Sequence, residues 1–391
     1  MRITFLTSCL EPGKDGVGDY TRDLAASCLA QGSAARLIAL NDRYVGAPVE
    51  EVQVARRTEI ETLRLPACAP WGNRMRSAAH FLQQRPADWL SLQFVCYGFH
   101  PKGIPIGLGR HLAPLVGDRR LHVMLHELWI GARRGAGLRE RLVGSIQRQA
   151  VRSLIGRLRP AAIHTSNAGY AKLLADAGIH ARLLPLCGSI PIATDVDAGW
   201  LEGELLKLGA EPPAGAPGGE AWRFGFFGVL PEQWAPEPLF TYVAEAAERS
   251  GRAVAMLSIG RVGTGEGLWR DMQARYGRRF CFARLGERSP TEVSMFLQTI
   301  DFGIATSPWQ LIGKSASTAA MLDHGLPVIV PRDDVDLGAA GALVDHDPLL
   351  ERMTPTLPQW LLQVRRRQPR ESLSALSARF TADIDMQSAL R

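Results

Sequence analysis

The first residues that could do chemistry form a glycine-rich loop near the start of the chain. The loop runs from Glu11 to Thr21 and contains Gly13, Gly16 and Gly18. Glycine lets a ligand approach the backbone closely, and the start of the following helix offers unpaired N–H groups to an anion or a sugar hydroxyl. The spacing is not the dinucleotide fingerprint, because Thr21 stands where that pattern needs glycine or alanine. Gly16 and Gly18 are predicted to let the backbone approach a phosphate or another ligand, with a glycine turn that binds nothing as the alternative.

An alternation of strands and helices must position this loop. Arg2 to Ser8 is predicted as a strand, Gly18 to Gln31 as a helix and Ala35 to Leu40 as the next strand, which together form a βαβ unit of a parallel sheet. Leu138 to Leu158 has apolar residues at spacings of three and four, which predicts a long helix. Further strands are predicted at Trp89 to Phe94, Leu121 to Leu125, Ala162 to Thr165 and Ala181 to Pro185.

A second α/β domain is predicted after a linker. Between Leu208 and Trp222 the chain is rich in glycine, alanine and proline, a composition that forms no regular element. The domains predicted are an N-terminal Rossmann-like domain at 1–195, a linker at 196–222, a C-terminal Rossmann-like domain at 223–375 and a helical tail at 376–391. Open parallel sheets bind ligands at the carboxyl ends of their strands, so the chemistry is expected in a cleft between two facing sheets.

Within the second domain the pattern again alternates between strand and helix. The predicted strands are Arg223 to Phe227, Ala253 to Ile259, Phe302 to Thr306 and Pro327 to Val330, and the predicted helices are Leu239 to Ser250, Glu292 to Thr299 and Ser315 to His324. From about Pro355 onward the chain is predicted to be helical.

Composition and charge exclude several classes of protein. The 391 residues are 46% hydrophobic and 21% charged, which suits two globular domains and not a disordered chain. The net charge of +6 comes from scattered basic residues, and no basic run is interleaved with aromatic residues, so nucleic-acid binding is not expected. A basic surface suits an anionic nucleotide or a lipid-linked acceptor at a membrane, and charge alone does not choose between them.

Cysteine spacing and hydropathy predict the compartment. The six cysteines lie far apart, which predicts free, mostly buried thiols and no zinc or redox pair. No signal peptide precedes the first strand, and no apolar run approaches the ~20 residues of a membrane span. A cytoplasmic protein is therefore expected, with peripheral membrane association left open.

The order of motifs resembles glycosyltransferase family 4, a group of GT-B enzymes. Those enzymes begin with a strand and a Gly-x-Gly loop before a helix, as at residues 16–18 here. Their first domain later has a strand ending in His-Asp, matched by His126 and Glu127, and a strand followed by a serine and a helix, matched by residues 164–170. Their second domain opens with a strand ending in glycine, as residues 226–228 do.

The strongest match to the family comprises residues 301–308 and 313–329. In the family this strand, loop, helix and Gly-x-Pro-Val-Ile strand hold the donor nucleotide. The helix start supplies N–H groups and the positive end of its dipole, and Lys314, Ser315 and Ser317 add to them. The resemblance implies a nucleotide-diphosphate-sugar donor held without a metal, and no other cofactor. It also implies a role in polysaccharide or glycoconjugate biosynthesis, with the sugar, the base and the glycan, lipid-linked or small-molecule acceptor left open.

The chain departs from the family pattern at charged positions. The family usually has two glutamates eight positions apart around the donor helix, where this chain has Ile312 and Ala320. It also tends to have an arginine and a lysine after the first strand of the second domain, where this chain has Val229 and Gln233 or Trp234. Arg261, after the next strand, or Lys314 could supply part of the missing positive charge.

The resemblance suggests roles for four further residues of the first domain. His126 is expected to contact the transferred sugar, with a purely structural hydrogen bond as the alternative. Glu127 could orient the imidazole or accept a proton from an acceptor hydroxyl, or it could be a carboxylate at a helix start. Asp19 and His100 are placed on the acceptor side, where Asp19 could instead cap the helix and His100 could simply be a loop residue.

The resemblance therefore implies a metal-independent glycosyltransferase that moves a sugar from a nucleotide-diphosphate sugar to an acceptor hydroxyl. A nucleotide-sugar 2-epimerase is one alternative, because it resembles the same two-domain architecture. A catalytically inactive GT-B-like binding subunit is the other, and the absent glutamates and basic pair favour it.

Overall fold

The computed structural model describes residues 1–197, 199–210, 221–338 and 347–389, with the backbone alone at 387–389. The chain divides into two compact units. The first contains Met1–Leu186 and two later segments that begin at Asp336 and Leu373, and the second contains Cys187–Val335 and the segment that ends at Ser372.

The first unit is built on an eight-stranded sheet with the strand order β3-β4-β2-β1-β5-β6-β7-β8. All neighbouring strands are parallel except β3 and β4. The strands are β1 Arg2–Thr7, β2 Ala34–Asp42, β3 Val49–Ala55, β4 Thr58–Pro66, β5 Trp89–Phe94, β6 Arg120–Leu125, β7 Ala162–Thr165 and β8 Arg182–Leu183. The helices between them are α1 Gly16–Ala30, α2 Trp71–Gln84, α3 Cys96–Phe99, α4 Leu108–Val116, α5 Leu138–Leu158 and α6 Ala168–Ala175.

The second unit is built on a six-stranded parallel sheet with the order β11-β10-β9-β12-β13-β14. Its strands are β9 Trp222–Phe227, β10 Val254–Ile259, β11 Cys281–Gly286, β12 Phe302–Ile304, β13 Val328–Val330 and β14 Leu350–Arg352. Its helices are α7 Trp200–Lys207, α8 Glu237–Ser250, α9 Glu266–Tyr276, α10 Pro290–Thr299, α11 Ala316–Asp323 and α12 Leu357–Gln363.

Both faces of the second sheet are covered by apolar side chains. Phe224, Phe226 and Met256 belong to one buried cluster, whereas Leu257 and Val328 belong to another. Successive side chains of a strand point to opposite faces, so a central strand such as β10 contributes to both clusters. This is the arrangement expected of a parallel sheet with helices on both sides.

The sequence analysis missed several elements, among them helix α7, the hairpin β3–β4, helix α9 and strand β11. Helix α7 lies inside the predicted linker, and Leu201 and Leu205, four residues apart, are buried in the second unit's core. The antiparallel hairpin β3–β4 turns at Arg56 and Arg57, both of which have positive φ. Turns of this kind usually carry asparagine, aspartate or glycine, so two arginines gave no turn signal. Residues 211–220 of the predicted linker lie outside the described residues.

The last helix, α13 Leu373–Ala389, belongs to the first unit. Its Phe380 is fully buried, with ring centroids 5.7 Å from Phe5 and 5.0 Å from His122. Its Ser377 Oγ lies 2.7 Å from Ser27 Oγ of α1. The segment predicted to be a separate helical tail therefore completes the core on one face of the first sheet. No helix among the described residues is long and apolar enough to cross a membrane.

Candidate functional site

The predicted site residues fall into two groups, one in each unit. In both groups they follow the carboxyl ends of parallel strands, where open sheets bind ligands. The first unit holds Gly16, Gly18, Asp19, His100, His126 and Glu127, and the second holds Arg261, Lys314, Ser315 and Ser317.

The glycine-rich segment after β1 is capped by its own aspartate. Helix α1 begins at Gly16, two residues earlier than predicted, so Gly16 and Gly18 lie in its first turn. Asp15 is the N-cap, and its Oδ1 accepts hydrogen bonds from the N–H of Val17 at 2.9 Å and of Gly18 at 3.0 Å. The cap is thus Asp15 and not Asp19. A carboxylate already occupies the helix start that the sequence analysis offered to an anion.

The two glycines of this turn differ in how closely other atoms pack against them. A Cβ on Gly18 would overlap the carbonyl oxygen of Cys9, so the packing of α1 on the end of β1 requires glycine there. A Cβ on Gly16 would meet open space, and Gly16 is exposed. Asp19 accepts a hydrogen bond from the N–H of Gly13 at 3.0 Å and so holds the loop against the helix.

A buried ion pair fixes the chain where it leaves β1. Asp42, at the end of β2, is fully buried and accepts hydrogen bonds from Arg64 Nε at 2.8 Å and from the Leu10 N–H at 3.2 Å. Arg64 also pairs with Glu11 at 2.5 Å. Burial by itself raises the pKa of Asp42, but the hydrogen bonds from Arg64 and from backbone N–H groups hold that pKa below its ordinary value. The entrance to the glycine-rich segment is therefore rigidly held.

His126 follows β6 and is buried. Its backbone N–H donates to the Phe94 carbonyl at 3.1 Å, its Nε2 lies 2.9 Å from Gln93 Oε1, and its ring packs edge-on against Tyr20 of α1 with centroids 5.0 Å apart. Burial lowers the pKa of His126 to about 3. The structure therefore places a neutral imidazole beside the helix that carries the glycine-rich turn.

His126 is the first member of a longer set of hydrogen-bonded groups beneath α1 and α13. Gln93 Nε2 lies 2.8 Å from Ser91 Oγ, and that oxygen lies 2.8 Å from His122 Nδ1. His122 Nε2 lies 3.0 Å from His164 Nδ1, and His164 Nε2 lies 3.1 Å from Asp383 Oδ2. We call these six residues, from His126 to Asp383, the buried polar chain. The sequence analysis missed it, although polar residues within the otherwise apolar strands β5, β6 and β7 were a signal.

Glu127 and His100 interact with residues close to them. Glu127 is half-buried near Cys96, and burial first and the Glu127 charge second raise the pKa of the Cys96 thiol to about 12. His100 Nδ1 accepts hydrogen bonds from the N–H groups of Lys102 and Ile104, each at 3.2 Å. The imidazole of His100 thereby closes its own loop.

In the second unit, Ser315 is the N-cap of α11 and not its first residue, because the helix begins at Ala316. Ser315 Oγ accepts a hydrogen bond from the Thr318 N–H at 3.3 Å and from the Thr318 hydroxyl at 2.8 Å, and it lies 3.2 Å from Ser317 Oγ. Lys314 ends the 3₁₀ turn Trp309–Lys314 immediately before this cap. The three predicted residues are therefore gathered at one helix start.

Arg261, Ile312 and Ala320 are positions of the second unit at which this chain was compared with the charged residues of the family pattern. Arg261, after β10, forms an ion pair with Glu287 at 2.7 Å, and both side chains are 66% exposed. Ile312 and Ala320 are buried in the apolar core. A Cβ on Gly188 would lie 2.7 Å from the Ala320 Cα, so the backbone near Gly188 packs directly on α11 at that position. Among the described residues, no group of three or more His, Cys, Asp or Glu side chains could hold a metal ion.

Comparison with known proteins gives matches in structure alone. No protein-family model matches the chain, and no curated protein matches it. HepE from Anabaena in complex with UDP is 12% identical, with 100% of this chain and 98% of that chain covered and a TM-score of 0.54. Sucrose-phosphate synthase from Thermosynechococcus elongatus is 12% identical, with 100% and 98% covered and a TM-score of 0.58. The chain has the GT-B fold.

This result confirms the predicted fold class, two Rossmann-like parallel-sheet domains. The GT-B fold does not by itself distinguish between reactions. A protein from Listeria monocytogenes described as a UDP-N-acetylglucosamine 2-epimerase matches with 11% identity, 100% and 98% of the two chains covered and a TM-score of 0.56. Assignment to glycosyltransferase family 4 remains a prediction, as do the roles of the individual site residues.

Proposed function

We propose that this protein is a glycosyltransferase that moves a sugar from a nucleotide-diphosphate sugar to an acceptor hydroxyl, without a bound metal. The observation that carries the proposal is the match of the full chain to GT-B structures that include HepE bound to UDP and to UDP with glucose. Sugar transfer requires that the leaving diphosphate be stabilised and the acceptor hydroxyl be aligned. The site residues supply groups for both requirements.

The donor diphosphate is proposed to bind at the start of α11. The first N–H groups of a helix have no partner within the helix, and the Ser315 hydroxyl caps only the third of them. The N–H groups of Ala316 and Ser317 therefore remain to bind phosphate oxygens, with the positive end of the helix dipole behind them. Lys314 and the Ser317 hydroxyl stand beside these N–H groups. Arg261 could join them only by leaving its exposed pair with Glu287, which costs little.

The start of α1 suits a neutral hydroxyl better than a phosphate. The Asp15 carboxylate already accepts two of its N–H groups and places a negative charge there. A Cβ on Gly16 would meet no atom of the described chain within 4 Å, so there is room for a ligand beside it. We therefore propose that this turn contacts sugar or acceptor hydroxyls. The neutral imidazole of His126, beside Tyr20 of α1, is proposed to contact the transferred sugar.

Two other functions have specific support. The likeness to the Listeria protein favours a nucleotide-sugar 2-epimerase, which needs no acceptor. The apolar, buried side chains of Ile312 and Ala320 favour an inactive binding subunit. Incubation with a nucleotide sugar, with and without candidate acceptors, distinguishes them. Nucleotide release or transfer indicates the transferase, an epimer formed without acceptor indicates the epimerase, and binding with no conversion indicates the binding subunit.

The proposed donor site is tested by thermal shift against UDP, GDP, ADP, TDP and CMP, with magnesium and with EDTA. A ligand at 100 times its Kd stabilises the folded state by about 2.7 kcal/mol, which is a shift of roughly 5–10 °C for a domain of this size. We expect one diphosphate to shift the melting temperature equally in both buffers. Lys314→Ala is expected to abolish the shift.

Lys207→Ala is the matched control, because Lys207 is an exposed lysine of the same unit whose partner is Glu204 on its own helix. It is expected to leave the shift unchanged. If no nucleotide shifts the protein at millimolar concentration, the donor site is wrong. A shift that requires magnesium would refute the metal-independent mechanism.

A further inference from the structure

The buried polar chain runs across three neighbouring strands and ends on α13. Ser91 and Gln93 lie on β5, His122 on β6 and His164 on β7, and the register pairs Ser91 with His122. The side chains of these residues lie on the same face of the sheet, because residues two apart in a strand face the same way. The buried polar chain is thus a continuous set of five hydrogen bonds from His126 to Asp383.

A neutral imidazole has one N–H donor and one acceptor nitrogen, and a carboxamide has donors at one end and an acceptor at the other. A hydrogen bond accepted at one end of such a group is therefore matched by one donated at its other end. The serine hydroxyl, with one donor and two acceptor sites, can also accept from both neighbours, so the direction is set only when one end of the series is fixed. Two uniform directions satisfy every member. In one, each group donates toward Asp383, and in the other, each group donates toward His126.

Asp383 selects between these two directions. A carboxylate can only accept hydrogen bonds, so His164 must donate to it from Nε2. His164 Nδ1 must then accept from His122 Nε2–H, and His122 Nδ1 must accept from the Ser91 hydroxyl. Ser91 in turn accepts from the Gln93 amide, whose oxygen accepts from His126 Nε2–H. Arg182 and Arg379 lie beside the Asp383 carboxylate, at 3.4 Å and 3.9 Å.

We propose that Asp383 is a positioning residue that acts through the buried polar chain to hold His126 in the Nε2–H tautomer, with Nδ1 as a hydrogen-bond acceptor. The imidazoles are uncharged, since burial lowers the pKa of His122, His126 and His164, for His164 against an opposing effect of Asp383. No imidazolium interrupts the series with a second donor.

The tautomer decides what His126 can bind. An acceptor Nδ1 takes a hydrogen bond from a hydroxyl group and cannot donate one to a carbonyl or a phosphate oxygen. This consequence rests on the proposed function, in which the ligand at His126 is a sugar. The structure then assigns His126 the role of hydroxyl acceptor, and not of proton donor to the leaving diphosphate.

The test is the ¹⁵N–¹H correlation spectrum of the imidazoles in histidine-labelled protein without ligand, because one-bond and two-bond couplings distinguish the two tautomers. Signals are assigned by single His→Gln variants. We expect His122, His126 and His164 each to show the Nε2–H pattern at neutral pH. An Nδ1–H pattern at His126 in the unaltered protein would overturn the proposal.

Two variants distinguish a directed series from mere packing. Asp383→Asn keeps the shape but offers both a donor and an acceptor, so both directions become possible and all three histidines should show a second tautomer. Ser91→Ala breaks the series in the middle, so His126 should change while His122 and His164 keep the Nε2–H pattern. Ser377→Ala removes another buried hydroxyl of α13, outside the buried polar chain, and should change none of the three.

A spectrum of His126 that is the same in the unaltered protein, Asp383→Asn and Ser91→Ala would overturn the proposal. These spectra are recorded without nucleotide, so their outcome is independent of the nucleotide screen. A directed series in a protein that binds no nucleotide sugar would refute the proposed function alone. If the protein transfers sugar from a nucleotide sugar but its His126 tautomer is unchanged in Asp383→Asn and Ser91→Ala, this inference alone is refuted.

Discussion

The buried imidazole of His126 makes the stability of the protein depend on pH in a calculable way. Burial holds its pKa at about 3 in the folded protein, whereas an unfolded histidine has a pKa of about 6.5. Below about pH 6.5 the unfolded chain therefore takes up a proton that the folded protein does not. The contribution of the neutral His126 to stability is therefore fully present above the pKa of the unfolded histidine and is lost as the pH falls below it.

The size of this loss follows from the two pKa values. From about pH 7 to about pH 5.5, His126 alone should lower the free energy of unfolding by about 1.3 kcal/mol. At about pH 4.5 the loss reaches about 2.5 kcal/mol. His122 and His164 contribute in the same direction, because burial lowers the pKa of each. The comparison is best made near pH 5.5, where ordinary carboxylates are still ionised in both states.

The assay is urea unfolding followed by circular dichroism at pH 7.0 and 5.5. His126→Gln removes the titrating group, so its loss of stability between the two pH values should be smaller than that of the unaltered protein by about 1.3 kcal/mol. His111→Gln is the control, because His111 is exposed and stacks on Trp71. An equal loss in the unaltered protein and in His126→Gln would show that His126 is not a buried neutral imidazole.

Three further substitutions test the packing around the site. Gly18→Ala should lower the free energy of unfolding in urea by about 1–3 kcal/mol, as an overpacked core does, because its Cβ would overlap the Cys9 carbonyl. A loss below about 0.5 kcal/mol would contradict that close approach. Asp42→Ala should lower the free energy of unfolding by about 3–5 kcal/mol in the same assay, since it leaves the buried Arg64 without its main partner. An unchanged urea midpoint would refute a buried ion pair. Ser315→Ala should cost about 1 kcal/mol as a lost helix cap and weaken nucleotide binding in the thermal shift, and full retention of binding would place the phosphate elsewhere.

The sequence predicted the elements whose periodicity was strongest. Helix α5 and strand β5 have the predicted bounds, because long apolar spacing and a continuous buried run are unambiguous local signals. The helix starts were less accurate. Helix α1 begins at Gly16, two residues before the predicted start, with Asp15 as its cap, and Ser315 caps α11 from outside the helix. A run with several capping residues does not show which of them is used.

Contacts between distant parts of the chain could not be predicted in this way. The pairing of Asp42 with Arg64 and the packing of Phe380 on Phe5 depend on which segments meet in three dimensions. His126 was predicted on the resemblance, but its partner Gln93, and Ser91 to which Gln93 donates, were seen only as parts of a strand. A polar residue within an apolar strand indicates a buried hydrogen bond, although the sequence does not name its partner.

The position of α13 affects how the first unit can fold during synthesis. The helix covers Phe5 and His122, yet it is translated after the whole second unit. At about 5–20 residues per second, the first sheet waits roughly 10–40 s for the helix that covers its face. During that time the nascent first unit has an exposed apolar surface that a chaperone can bind. Premature termination before Leu373 would leave this surface exposed permanently, so a truncated product should aggregate or be degraded even though every strand of its first sheet is present.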